Sequence, residues 1–221
     1  MSESAKIKVK KNGPYIVTGN VPLEREYAVT KLIYPLRWEK GESFSSKAQY
    51  SLCRCGKSST MPYCDGAHIK SQFDGTETAS NIPFDQRVKK TIGPGIDLND
   101  VEELCSGARF CDIGGGTWQL TEKSDDPSAK EKVIQQSCDC PSGRLVAVEK
   151  EIGSPIEPAF EKSISVTDDQ ATGLGGPLWV KGGIPVESSD GTTYEIRNRV
   201  TLCRCGKSSN KPFCDGLHLK V

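Results

Sequence analysis

The chain contains one stretch of sequence twice, 150 residues apart. Residues 52–70 read LCRCGKSSTMPYCDGAHIK and residues 202–220 read LCRCGKSSNKPFCDGLHLK, so 14 of the 19 positions are identical. A weaker likeness joins GPYIVTGNVPL at 13–23 to GPLWVKGGIPV at 176–186. Alternating apolar residues lead into both cysteine stretches, which is typical of half-buried strands. We therefore expect a duplicated unit of short strands and a cysteine loop, whose two copies bury a shared face.

Each copy carries three cysteines and one histidine at a fixed spacing. The order is C-x-C, eight residues, then C-D-G-x-H, and the only two histidines of the chain occupy the last position of the two copies. Three thiolates and one imidazole suffice for a closed tetrahedral metal ion or for a two-iron cluster. In a two-iron cluster, the C-x-C pair would hold one iron, and the last cysteine and the histidine would hold the other. The spacing alone leaves zinc and iron-sulfur open.

The composition restricts the compartment and the partners that we expect. Lys+Arg and Asp+Glu both number 29, so the formal net charge is zero and the attraction to nucleic acid or to an anionic membrane is missing. The first residues contain no apolar run typical of a signal peptide. In such a chain, ten cysteines indicate ligands in a reducing compartment rather than disulfides. The sequence predicts a cytoplasmic protein with no nucleic-acid or membrane partner.

The full pattern of the two copies resembles the CDGSH iron-sulfur domain family, which includes the NEET proteins. CRCGKSSTMPYCDGAH agrees with the family pattern at every defined position, and CRCGKSSNKPFCDGLH departs from it only at Leu217, where a small residue is usual. The resemblance implies two [2Fe-2S] clusters, the first held by Cys53, Cys55, Cys64 and His68 and the second by Cys203, Cys205, Cys214 and His218. Because an imidazole must be neutral to bind iron, we expect mild acid to release both clusters.

Four further cysteines lie between the copies. Cys105, Cys111 and Cys140, the last followed by proline, resemble the three-cysteine pattern of divergent mono-cluster ferredoxin domains. Three thiolates would suit a [3Fe-4S] cluster, and Cys138 would supply a fourth for [4Fe-4S], although its spacing from Cys140 is unusual. A four-thiolate zinc site and buried free thiols are the alternatives. The sequence leaves open whether this quartet binds a third cluster, zinc or nothing.

We predict an α+β fold made mostly of short β-strands, with two CDGSH-type cluster-binding modules at 1–75 and 166–221. The segment between them, 76–165, is predicted to be a partly helical insertion, for which a ferredoxin-like fold is one expectation. Helices are expected at 97–105 and 126–136 and a strand at 144–149. The resemblance to a family of intertwined homodimers implies an intrachain pseudo-dimer, and hence a monomer with an internal two-fold.

The function expected from these ligands is single-electron transfer or iron-sulfur cluster transfer, with a redox protein or an apo cluster acceptor as partner. The alternative is a structural zinc-binding interaction module. No enzyme is predicted, because both histidines are committed to metal and no acid-base pair stands out. The sequence does not separate electron transfer from cluster donation or sensing.

Overall fold

A computed structural model describes residues 4–220, so the predicted module limits at 1 and 221 lie outside the described residues. The described chain is mixed α+β, with mostly short strands and few helices, as predicted. The strands are β1 Lys6–Val9, β2 Tyr15–Thr18, β3 Leu23–Lys31, β4 Tyr34–Ser43, β5 Gln49–Leu52, β6 Lys89–Ile92, β7 Asp97–Asp100, β8 Leu145–Val148, β9 Pro155–Ile156, β10 Ser163–Asp169, β11 Leu174–Lys181, β12 Val186–Glu187 and β13 Arg199–Leu202. The helices are α1 Ala67–Lys70, α2 Thr117–Glu122 and α3 Pro127–Asp139, and short 3-10 turns cover Phe84–Gln86, Glu102–Leu104, Phe110–Gly115 and Leu217–Lys220.

The two copies of the repeat form the same antiparallel ladder. In the first, β2 pairs with β5, and Tyr15 lies opposite Leu52. In the second, β11 pairs with β13, and Leu178 lies opposite Leu202. The equal register follows from the repeated alternation of apolar residues, because a slip of one residue would turn every buried side chain towards solvent. Each ladder ends where its C-x-C segment begins.

Each of the two sheets also takes in a strand from the opposite part of the chain. β3 follows β2 in sequence but belongs to the second sheet, where it runs parallel to β10. β12, which follows β11, runs parallel to β1 in the first sheet. The strand orders are therefore β12-β1-β2-β5 and β13-β11-β10-β3-β4.

A single apolar core lies between these two sheets. Its fully buried members come from both copies and include Ile7, Leu23, Leu52, Ile164 and Leu178. Burying one such side chain contributes about 1.5–3 kcal/mol relative to leaving it in water. Because the core draws on both sheets, neither sheet buries its apolar face by itself.

The middle segment has its own sheet, in the order β6-β7-β8-β9, with a small core against α3. Helix α3 and strand β8 agree with the predictions, and Asp126 caps α3 by accepting the Ser128 N–H at 2.9 Å. The prediction of a helix at 97–105 is wrong. Residues Asp97–Asp100 form β7, where Leu98 pairs with Ala147 of β8 and is fully buried, and only Glu102–Leu104 turn as a 3-10 helix. The alternation in Asp-Leu-Asn-Asp suits a strand better than a helix.

Among residues 4–220, no helix is both long enough and apolar enough to cross a membrane.

Candidate iron-sulfur centres

The first candidate site is built where β5 ends. Cys53 directly follows Leu52, and its N–H donates to the Pro62 carbonyl at 2.8 Å. The loop then returns, and the Cys64 N–H donates to the Ser51 carbonyl at 3.0 Å. These two backbone hydrogen bonds hold Cys53 and Cys64 side by side. Helix α1, which carries His68, follows immediately.

The second site repeats this construction at the end of β13. The Cys203 N–H donates to the Pro212 carbonyl at 2.8 Å, and the Cys214 N–H donates to the Thr201 carbonyl at 2.9 Å. His218 lies in the 3-10 turn Leu217–Lys220. The same backbone pattern at both sites shows that the repeat specifies a loop conformation as well as a set of donors.

At each site the four donors lie as two close pairs. Cys53 Sγ and Cys55 Sγ are 3.7 Å apart, and the equivalent sulfurs of the second site are 3.8 Å apart. Cys64 Sγ lies 3.4 Å from His68 Nδ1, and the equivalent distance in the second site is also 3.4 Å. Two thiolates bound about 2.3 Å from one tetrahedral metal lie about 3.8 Å apart, and a thiolate and an imidazole nitrogen lie about 3.5 Å apart. Each pair therefore has the separation that one metal ion requires.

Within residues 4–220, no three or more Cys, His, Asp or Glu side chains lie close enough together to hold a single metal ion. The donors of each site thus form two separate pairs, one Cys–Cys and one Cys–His.

Aspartate and serine side chains stiffen both loops. Asp65 accepts the Ser59 N–H and hydroxyl at 2.8 and 2.7 Å and the Ala67 N–H at 2.9 Å, and these hydrogen bonds hold its pKa far below the usual value. Asp65 therefore caps helix α1 at the Ala67 N–H, although the N-cap residue itself is Gly66 with φ 87°. Ser58 donates to the Tyr63 carbonyl at 2.6 Å. Its hydroxyl thus stabilises the loop backbone.

The two C-x-C segments touch each other through their glycines. Gly56 has φ +72°, and a Cβ at this position would lie 2.4 Å from the Cys205 carbonyl oxygen. A Cβ on Gly206, with φ +79°, would lie 2.7 Å from the Cys55 carbonyl oxygen. A side chain at either position would have to displace backbone atoms of the opposite loop. This contact between the sites was not predicted, because the sequence shows only that glycine is present.

Tyr15 is a second feature that sequence reasoning missed. This β2 residue is fully buried, and its hydroxyl donates to the Cys203 carbonyl at 2.9 Å and to the Pro212 carbonyl at 3.0 Å. A residue of the first sheet thus supports the ligand loop of the second site. The equivalent position in the second copy is Leu178, which has no hydroxyl group. In the sequence, this role of Tyr15 was indicated only by the difference between GPY in the first copy and GPL in the second.

The arginines between the ligand cysteines anchor the loops as well as supplying positive charge. Arg54 is buried, donates to the Gly75 carbonyl at 2.6 Å and lies over the Tyr15 ring. Arg204 donates to the Gly176 carbonyl at 2.9 Å and forms an ion pair with Asp168 at 3.0 Å. Both cationic groups lie beside the cysteine loops, where they would offset the negative charge of thiolate ligands.

The thiols of the second site differ in how readily they ionise. The hydrogen bond that Cys205 shares with Cys203 lowers the pKa of Cys205 to about 7. Burial raises the pKa of Cys214 far above the usual value, while the N–H of Gly216, 3.4 Å from this sulfur, acts in the opposite direction. Burial, together with the nearby Arg204, also lowers the pKa of His218. Metal binding to the protonated Cys214 thiol would therefore release a proton.

Three of the four middle cysteines line one small cavity, bounded by Cys105, Cys111 and Cys140. Burial, with added repulsion from Asp112 and from the neighbouring thiolates, raises the pKa of Cys111 to about 12. Arg144 also lines the cavity and forms a two-pronged ion pair with Asp100 at 2.6 and 2.9 Å. Three thiols and a fixed cation thus line one cavity, and three thiolates are the donor set of a three-cysteine cluster.

Cys138 is not brought to this cavity. Its side chain lines a separate groove with Trp38 and Trp179, and its backbone carbonyl accepts a hydrogen bond from Arg199 at 3.0 Å. Helix α3 ends at Asp139, so the chain turns between Cys138 and Cys140. The structure therefore groups three of the four cysteines.

Comparison with protein families gives matches for the two copies of the repeat and for the middle segment. The family described as iron-binding zinc finger, CDGSH type, matches residues 12–69 and again 175–219. The family described as divergent 4Fe-4S mono-cluster matches residues 92–150. Both families support iron-sulfur binding. Neither the curated proteins nor the solved structures that were searched contain a match.

Proposed function

We propose that this protein, a tandem CDGSH protein with two iron-binding motifs, holds two [2Fe-2S] clusters and acts in single-electron transfer or iron-sulfur cluster transfer. Each cluster is held by three cysteines and one histidine, namely Cys53, Cys55, Cys64 and His68 at one site and Cys203, Cys205, Cys214 and His218 at the other.

The observation that carries this proposal is the pairing of the donors. Each site offers a Cys–Cys pair and a Cys–His pair, and both separations fit one tetrahedral metal per pair. Two metals with four terminal ligands in total is the ligand requirement of a binuclear cluster. The competing structural zinc site needs all four donors around one ion.

A [2Fe-2S] cluster, when bound, supplies reversible uptake of one electron, and an imidazole ligand in place of a thiolate raises its reduction potential. The chain supplies the surroundings. Backbone N–H groups, such as that of Lys207 at 3.4 Å from Cys205 Sγ, donate to the ligand sulfurs. The buried Arg54 side chain places a positive charge beside the first loop. Both features stabilise negative charge on the sulfurs and keep the loops in one conformation.

Metal and sulfide analysis of freshly purified protein tests the proposal. The outer sites should contribute about four iron and four sulfide per chain, with the visible absorption of a binuclear cluster. The variant with Cys55 and Cys205 both replaced by serine should lose this absorption. Colourless protein with stoichiometric zinc after iron-replete expression would favour the structural zinc module and overturn the proposal.

We further infer that modules 1–75 and 166–221 form an internal pseudo-dimer beside the segment 76–165, so that the protein is a monomer. The exchange of β3 and β12 supports this, because each sheet is completed by a strand from the other module. Sedimentation should give the mass of one chain. A fragment 166–221 that folds alone and binds a cluster would show that the modules do not need each other.

We also infer a third cluster in the middle segment, held by Cys105, Cys111 and Cys140. The shared cavity, the Arg144 charge and the match to a mono-cluster family support it. Iron per chain should exceed the binuclear total by about three or four. Cys105→Ser and Cys140→Ser should each remove this excess, whereas Cys138→Ser should leave it. Equal iron in all three variants and the parent protein would refute the third site.

A further inference from the structure

The two CDGSH sites differ in how far they are covered. At the second site, Cys214 and His218 are 3% and 8% exposed. At the first site, Cys64 and His68 are only partly buried, and helix α1 contains no buried residue. The sites share their donors and their loop hydrogen bonds, so the difference comes from what packs against them.

The middle segment covers the Cys–His end of the second site. A Cβ on Gly107 would lie 2.5 Å from Leu219 Cδ1, and a Cβ on Gly216 would lie 3.4 Å from the Cys105 carbonyl oxygen. Ser106, Gly107 and Ala108 line a small cavity together with His218. The C-x-C end of this site faces the first site through Gly206, although Cys205 itself is partly exposed, so the second site is enclosed mainly at its Cys–His end.

The Cys–His end of the first site is open. Next to His68, Ile69 is 74% exposed and Lys70 is exposed. Asp65, which precedes helix α1, is an exposed carboxylate at the same end of the site. We call the surface made by His68, Ile69 and Lys70 the His68 face.

The turn between β1 and β2 adds positive charge to this face. A Cβ on Gly13 would lie 3.7 Å from His68 Nε2 and 3.1 Å from Lys10 Cβ, so Lys10 starts close to the outer edge of the imidazole. Lys10 and Lys11 are both exposed. At the second site, the carboxylates Asp168 and Asp169 near His218 are paired with Arg204 and Arg109, so the charges there are balanced.

We propose that an acidic one-electron-carrier protein docks on the His68 face, and that the first site is therefore the exchange site of this protein while the enclosed second site is not. The exposed Ile69 side chain lies beside Lys70 and near the turn that carries Lys10 and Lys11, which matches an interface with an apolar centre and a polar rim. Lysines on one partner require carboxylates on the other, which steer the encounter at low salt. The proposal rests on the proposed redox function.

Binding of the loaded protein to flavodoxin, a small acidic one-electron carrier, tests the proposal by calorimetry at low ionic strength. Lys70→Glu should weaken binding about tenfold, because reversing a rim charge replaces attraction by repulsion. Lys220→Glu, the same change at the equivalent position of the second site, should leave binding within about twofold. Raising the salt concentration should weaken binding by the parent protein, and basic cytochrome c should not bind.

Equal effects of Lys70→Glu and Lys220→Glu would overturn the proposal, as would binding that does not depend on salt. Binding to phosphatidylserine vesicles that depends on Lys70 in place of flavodoxin binding would replace the protein partner by a lipid surface and overturn it too. Iron, sulfide and visible absorption are measured on the same samples. Samples without binuclear clusters refute the proposed function, whereas fully loaded samples in which the two reversals act alike refute this inference alone.

Discussion

Replacing Tyr15 by phenylalanine should loosen the second cluster site while leaving the first intact. The change removes only the hydroxyl group that donates to the Cys203 and Pro212 carbonyls. The Pro212 carbonyl keeps the Cys203 N–H at 2.8 Å, so the Cys203 carbonyl is the group left without its donor. Leaving one buried acceptor unsatisfied costs about 1–3 kcal/mol.

For a chain of this length, each kcal/mol lowers the midpoint of thermal unfolding by roughly 2–4 °C. We therefore expect a decrease of about 4–8 °C for a central cost of about 2 kcal/mol. Tyr50→Phe is the matched control, because the buried Tyr50 hydroxyl donates at 2.8 Å to the Val21 carbonyl, away from both ligand loops. It should lower the midpoint by a similar amount.

The two variants differ in how a strong iron chelator bleaches their visible absorption. In Tyr15→Phe, the portion of absorption that belongs to the second site should decay faster than in the parent protein, because the Cys203 loop has lost its support. In Tyr50→Phe, the decay should keep the parent rates. If both variants bleach alike, or if Tyr15→Phe keeps the parent unfolding midpoint, then the hydroxyl does not support the site.

Three further changes test other parts of the structure. Lys181→Met should destabilise the fold by about 3–5 kcal/mol in chemical denaturation, since it leaves the buried Glu26 carboxylate of β3 without its cation. Gly56→Ala should reduce iron at both sites, because its Cβ would meet the carbonyl of the opposite loop. On mild acidification, the cluster at His68 should be lost before that at His218, which is more buried, and His68→Cys should slow the first loss.

Controls separate these effects from general strain. Gly66→Ala introduces a side chain at a similar positive φ with no atom within 4 Å, so it should retain more iron than Gly56→Ala. Breaking the exposed pair of Arg37 and Glu39 should change stability by less than about 1 kcal/mol. Simultaneous acid loss from both sites, or equal effects of the paired glycine changes, would contradict the explanations given for them.

The repeat made the donors and their local elements predictable, because ligand spacing and strand alternation are properties of adjacent residues. The strand that leads into each C-x-C segment and the helical turn through the histidine follow from such local patterns. The exchange of β3 and β12 does not, because it depends on which sheet edge each strand meets. The contact of Gly56 with Cys205 likewise depends on packing between residues far apart in sequence.

The middle segment is a second case in which long-range packing, and not the local sequence, decides where the residues lie. The sequence set Cys138 apart only by its unusual spacing from Cys140, and it could not decide the outcome, since side-chain direction at the end of a helix depends on how the helix packs. In the structure α3 packs against β8, and Cys140 follows its last turn. The prediction of a helix at 97–105 failed for a related reason. The acidic residues there suit the start of a helix, but in the structure Asp97–Asp100 form a strand that pairs with β8.

Duplication of a sequence does not imply equivalence of the two sites. Leu217 in place of Ala67 made the second histidine's surroundings more apolar in sequence terms, and the structure adds the packing of Gly107 against Leu219. His218 is 8% exposed beside the middle segment, while His68 is only partly buried and lies next to the turn that carries Lys10. A buried imidazole is protonated less easily than an exposed one, and a covered site is less accessible to a partner. The same enclosure therefore accounts for the expected order of acid loss and for the assignment of the exposed site to exchange.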